Sequence, residues 1–159
     1  MKDAGEGKEV TGVKDIRVSA LVLFHPDRAE LLMVRKRGTS SFMLPGGKPE
    51  YGESPEETII REIDEELGLQ LFPERLFPLG TFTAAAANEA EHTVTGDVFS
   101  YDGVPPELNV EAVEHLAEIA EALWVPFDPL PSDTAERQFA PLTRHEVIPA
   151  LRENGLLPR

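Results

Sequence analysis

The chain has 159 residues, 41% of them hydrophobic, which is enough for one domain with a proper core. Its formal net charge of −14 argues against a polymeric nucleic acid partner, whose phosphates would be repelled. It contains no cysteine, which excludes a disulfide framework and thiol chemistry, and its longest apolar run, residues 18–24, is far too short to span a bilayer.

Residues 1–13 are polar and lack an apolar signal core, so they read as a mobile leader on a cytoplasmic protein, with residues 14–159 forming one domain. Residues 16–24 are rich in β-formers, His25-Pro26-Asp27 is a turn, and residues 31–34 are expected to return as the hairpin partner. Leu44-Pro45-Gly46-Gly47 follows, a paired glycine that lets backbone adopt positive φ and approach a ligand closely.

A helix then starts at Ser54, a good N-cap, with Pro55 at the first helical position and Glu57 placed for a capping box. Gly68 supplies the left-handed residue that ends it. Ile59, Ile60, Ile63 and Leu67 gather on the face a core would bury. Glu62, Glu65 and Glu66 share another face, because residues three and four apart are neighbours on a helix. Packed carboxylates repel, so something cationic should offset them. Mg²⁺ or Mn²⁺ is one candidate, since hard cations take oxygen ligands; Arg61, within reach of Glu57 or Glu65, is the other.

Beyond the helix, Pro73 and Pro78 punctuate a connection, and residues 79–87 and 92–101 read as two strands around Asn88-Glu89-Ala90-Glu91. Residues 109–123 form an acidic, alanine-containing stretch with the pattern of a solvated helix, followed by a short strand at 123–127. Pro126, Pro129 and Pro131 mark an irregular segment, and residues 143–153 read as a closing helix. The four histidines show no metal-ligand spacing.

Gly47, Glu53, Arg61, Glu62, Ile63, Glu65, Glu66, Gly68 and Leu69 fill every constrained position of G-x5-E-x7-R-E-U-x-E-E-x-G-U, U being a bulky aliphatic. This segment resembles the Nudix box. The strands and the Leu-Pro-Gly-Gly lead-in before it, and residues 118–125 after it, are similar to other parts of a Nudix domain, so the likeness covers roughly residues 15–130. It implies an α/β fold in which a mixed β-sheet is sandwiched between α-helices, an α/β/α arrangement that accommodates the elements above.

The resemblance also implies a hydrolase that cleaves the diphosphate linkage of a nucleoside diphosphate derivative. Under it, Glu62, Glu65 and Glu66 are metal ligands, Gly47 contributes a backbone carbonyl and Glu53 an outer carboxylate. Arg61 orients the glutamates, and the base that activates water is either Glu62 or a glutamate from a distant loop, first Glu118, with Glu121, Glu114 and Glu111 behind it. Lys48 and, in the run Arg35-Lys36-Arg37, Arg35 and Arg37 first are candidates for substrate phosphate, each set against the alternative of a solvated basic residue. The implied cofactor is Mg²⁺, with Mn²⁺ as substitute, the partner a small nucleotide, and homodimers are frequent in the family. In that family a downstream proline marks ADP-ribose enzymes and a tyrosine marks dinucleoside polyphosphate enzymes. Residues 84–87 here are alanines, so elimination favours a nucleoside triphosphate or modified dNTP yielding NMP and diphosphate. ADP-ribose or nucleotide-sugar hydrolysis, and a non-catalytic ligand-binding regulator, are the alternatives.

Overall fold

A computed structural model describes residues 14–87, 90–113 and 118–154, without the side chains of 111 and 113. The leader, Glu114, His115 and the end of the chain lie outside the described residues. The chain forms β1 (Lys14–Val22), β2 (Glu30–Lys36), β3 (Ser41–Phe42), β4 (Gly46–Gly47) and α1 (Pro55–Leu67). It continues through β5 (Leu76–Ala85), β6 (His92–Tyr101), α2 (Val110–Val113), β7 (Ile119–Pro126) and β8 (Gln138–Phe139). A π-helical segment, Leu142–Val147, leads into α3 (Ile148–Glu153). No helix among the described residues is long and apolar enough to cross a membrane.

The main sheet has the order β4-β1-β6-β5 and is mixed: β1 runs parallel to β6 and antiparallel to β4, and β5 closes a hairpin with β6. Alternation along β1 divides the core. Leu21 and Leu23 face α1 and pack with Ile59, Ile63 and Leu67. Ala20 and Val22 face the other way, against Leu142, Val147, Ile148 and Leu151. One sheet thus has helix on both faces, as the α/β/α expectation required.

The capping signals of α1 act as their chemistry dictates. Ser54 Oγ accepts from Glu57 N–H at 3.1 Å, Glu57 Oε1 accepts from Ser54 N–H at 2.9 Å, and Gly68 ends the helix at φ 68°. Ile59 and Ile63 are fully buried.

Two expectations are corrected. The hairpin expected between β1 and β2 is confined to its turn end, just beyond β1, where an antiparallel Phe24–Leu31 bridge is flanked by Leu32 N–H to the Leu23 carbonyl and His25 N–H to the Glu30 carbonyl; the ladder of β2 is made instead with β7 in a second sheet. The solvated helix expected at 109–123 is helical among the described residues only at Val110–Val113, and strand begins at Ile119. Glu121 suggested a helix face because its partner is invisible in local sequence. Arg35 stands opposite it across the β2–β7 ladder and binds it at 2.8 Å.

Candidate active site

Gly46 and Gly47 bring backbone to the foot of α1 because nothing bulkier fits. A Cβ on Gly46 would lie 2.0 Å from the Ser19 carbonyl oxygen, and its φ is +152°, where side chains are strained. A Cβ on Gly47 would lie 2.3 to 2.6 Å from the carboxylate atoms of Glu62. The loop therefore passes directly against the carboxylate face of the helix.

Arg61 locks the two together. Its Nε and Nη2 donate to Glu53 at 2.6 and 3.0 Å, Nη2 also to the Lys48 carbonyl at 2.9 Å, and Nη1 to Glu62 Oε2 and Glu65 Oε1 at 3.1 Å each. Glu53 further accepts from Glu50 N–H and the Thr58 hydroxyl, at 2.8 and 3.1 Å. These donors, Arg61 first, hold the Glu53 carboxyl down at about 2, and Glu53 in turn raises the Arg61 pKa.

Three glutamates of α1 sit in different surroundings. Glu65 is exposed. Glu62 is largely covered, bound to Arg61 through Oε2, with Oε1 forming no hydrogen bond among the described residues. Glu66 is 2% exposed: Oε1 accepts from Gly46 N–H at 3.1 Å, while Oε2 has Lys36 Nζ at 3.3 Å, near enough for an ion pair but not aligned as a hydrogen bond. Burial pushes the Glu66 carboxyl up to about 7 despite Lys36 and the Gly46 N–H.

That shift has a sign that stability measurements can read. With a raised folded pKa, the contribution of Glu66 is fully present below its ordinary value of 4.5 and is lost as pH rises through about 7. In chelator-treated protein the loss amounts to about 3 kcal/mol. Urea unfolding at pH 5 and pH 8 should show Glu66→Gln lacking most of this decline; equal pH slopes for variant and parent would contradict it. Glu53 acts oppositely, contributing above 4.5 and losing its contribution as pH falls through about 2.

A cleft of about 460 Å³ opens beside the loop. Gly47, Lys48, Glu62 and Glu118 line it, and of the basic run Arg35-Lys36-Arg37 it is Lys36 that does so. Arg35 is instead engaged by Glu121 and the Thr39 carbonyl, and Arg37 N–H donates to the Glu118 carbonyl at 2.9 Å. The remainder of the wall is mainly aliphatic: Ile16, Val18 and Val94 from the sheet, residues 85–87 at the end of β5 and just beyond it, and Leu142 from the π-helical segment. Their signal in sequence was only strand alternation, which does not say which face is covered.

Among the described residues no three acidic or histidine side chains are arranged to hold a metal ion by themselves. The donor chemistry still suits one. Glu62 Oε1 and Glu66 Oε2 are hard oxygens without aligned hydrogen bonds, and Mg²⁺ usually takes one or two carboxylates and completes its shell with water and substrate phosphates. The fit is to a cation shared with a ligand.

The family model described as NUDIX domain matches residues 15–145. The chain is 32% identical over 153 residues to a protein of Mycobacterium tuberculosis described as a mutator protein, MutT4, covering 92% of this chain and 54% of that one. It is 35% identical over 88 residues to an ADP-ribose pyrophosphatase of Methanocaldococcus jannaschii, covering 54% of this chain and 50% of that one. The chain thus spans about half the length of these curated relatives. Among solved structures, a MutT protein from Methanosarcina mazei superposes with a TM-score of 0.65 at 23% identity, covering 89% of this chain and 96% of that one, which shows a shared fold.

Proposed function

The chain belongs to the NUDIX domain family, and from that premise we propose that it is a divalent-metal-dependent pyrophosphohydrolase acting on a small nucleoside diphosphate derivative. The observation that carries the reading is the Gly47–Glu62 approach at the cleft: a glycine whose Cβ would displace a carboxylate, beside a second, buried carboxylate with an oxygen left short of donors.

Glu62 and Glu66 are the principal cation ligands in this reading, with the Gly47 carbonyl beside them and Glu65 at the outer margin. Glu53, saturated by hydrogen bonds, serves through Arg61 by fixing the loop to the helix. A bound divalent cation would neutralise phosphate charge and lower the pKa of water. The chain's own groups do the rest. Lys48 meets phosphate oxygens at the mouth of the cleft, the aliphatic wall receives the organic moiety and excludes water, and a carboxylate takes the proton of the attacking water. That carboxylate is Glu62 or Glu118, which line the same cleft although they are far apart in sequence.

For substrate, a nucleoside triphosphate or modified dNTP yielding NMP and diphosphate is the first choice, because residues 84–87 are alanines and offer neither the proline nor the tyrosine marker. ADP-ribose is the second, favoured by the shorter stretch shared with the archaeal pyrophosphatase. Release of diphosphate and phosphate from dNTPs, oxidised dGTP, ADP-ribose, nucleotide sugars and dinucleoside polyphosphates, with and without Mg²⁺, decides between them. Strong Mg²⁺-dependent turnover of one class names the substrate; ligand binding with no turnover anywhere would overturn the enzymatic reading.

The base assignment has its own expected result. Glu118→Gln should lower turnover by a factor on the order of 10² and remove the acidic limb of the pH–rate profile, with metal affinity little changed. An unaltered rate would return Glu118 to the solvated surface and leave Glu62 as the base.

A further inference from the structure

The two oxygens of Glu66 are held unequally. Oε1 has a backbone N–H at hydrogen-bonding distance, whereas Oε2 is buried with no hydrogen bond and is neutralised by the Lys36 ammonium at 3.3 Å. Burying a charge whose partner is poorly aligned leaves much of its desolvation uncompensated. Such a contact can be exchanged at little cost.

Lys36 is built for exchange. Its side chain is one-third exposed while that of Glu66 is 1% exposed, so one end of the pair is anchored and the other reaches solvent. Lys36 also lines the cleft, together with Gly46, Gly47, Lys48 and Glu62. A lysine ammonium is a compact charge on a flexible stem, able to turn from one anion to another without the fixed fork geometry of arginine.

We propose that Lys36 is an exchangeable counter-ion, neutralising Glu66 when no divalent cation is bound and turning onto a phosphate oxygen of the substrate when a cation takes its place. This rests on the diphosphate chemistry proposed above and adds a coupling to it. Displaced from Glu66, Lys36 finds an anion only when substrate is present, so cation and nucleotide each favour the binding of the other. Without substrate, Lys36 competes with the cation.

The test measures Mn²⁺ affinity by electron paramagnetic resonance and, separately, the affinity of a non-hydrolysable nucleotide in Mg²⁺. Lys36→Met should bind Mn²⁺ alone about 5-fold or more tighter than the parent and bind the nucleotide more weakly by a similar factor. Lys48→Met removes the same charge from the same cleft without touching Glu66, and should leave Mn²⁺ affinity much less changed. Lys36→Gln, whose amide can still donate to Oε2, should repeat both shifts and stands in if Lys36→Met does not fold. Equal Mn²⁺ affinity in parent and both Lys36 variants, an equal rise in Lys48→Met, or unchanged nucleotide affinity would each overturn the exchange. Mn²⁺ binding that ignores Lys36 removes the exchange alone. No Mn²⁺ binding by the parent even with nucleotide removes the exchange and the diphosphate chemistry together.

Discussion

Glu62→Gln should lower Mg²⁺-dependent turnover by a factor on the order of 10² to 10⁴ and leave the urea unfolding midpoint nearly unchanged. The substitution keeps the volume of the side chain, so packing against Gly47 survives. What it removes is negative charge at the one α1 carboxylate that lines the cleft. An amide oxygen is a weaker cation ligand and cannot take a proton, so either role assigned to Glu62 is lost. Arg61 keeps Glu53, Glu65 and the Lys48 carbonyl, which is why the fold is spared. Near-normal turnover in this variant would remove α1 from the chemistry.

The adjacent glycines should separate folding from function. Gly46→Ala should destabilise by about 3–5 kcal/mol, adding strain at a glycine-only φ to an overlap that backbone must relieve. The obstacle is the Ser19 carbonyl oxygen on the β1 ladder, 2.0 Å from the new Cβ, so relief means parting β4 from β1. Gly47→Ala meets only the end of a side chain, the Glu62 carboxylate, which can swing aside. The protein should stay folded while turnover falls by a factor on the order of 10², the cost of misplacing a reacting group by about an ångström. Urea midpoints and kcat for both variants decide this. A stable Gly46→Ala, or a fully active Gly47→Ala, would contradict the loop geometry.

Helix α1 was legible in the chain because its determinants are local. The Ser54–Glu57 box, Pro55, the Ile59–Ile63–Leu67 stripe and Gly68 all act within a few residues of one another, and each is found in its expected role. The acidic motif was legible for the same reason, as a pattern fixed by helical spacing. Glu66 shows the limit of such reading. Spacing put it on the face of Glu62 and Glu65, yet Glu66 is buried and Glu65 is exposed, because the loop and β2 cover one side of that face.

Strand partnership was not legible. β1 pairs in parallel with β6, from Lys14 opposite His92 to Val22 opposite Ser100, with β2 and α1 intervening in sequence. A local rule favours the nearest strand, and it does find the turn that brings Phe24 against Leu31, but not the β7 ladder that takes the rest of β2. Glu121 likewise read as a helix face until Arg35, on another strand, supplied its partner.

The sequence by itself determined one capped helix, its carboxylate pattern, the glycine loop before it and the family they share, since each depends on contacts between near neighbours. Only the tertiary structure decided that Lys36, with Arg35 held by Glu121, lines the cleft and pairs with Glu66, that Glu118 lines it opposite α1 in sequence terms, and that aliphatic residues of β1 and β6 form its wall. Those placements depend on long-range pairing and packing, and their energy appears only when segments distant in the chain are brought into contact.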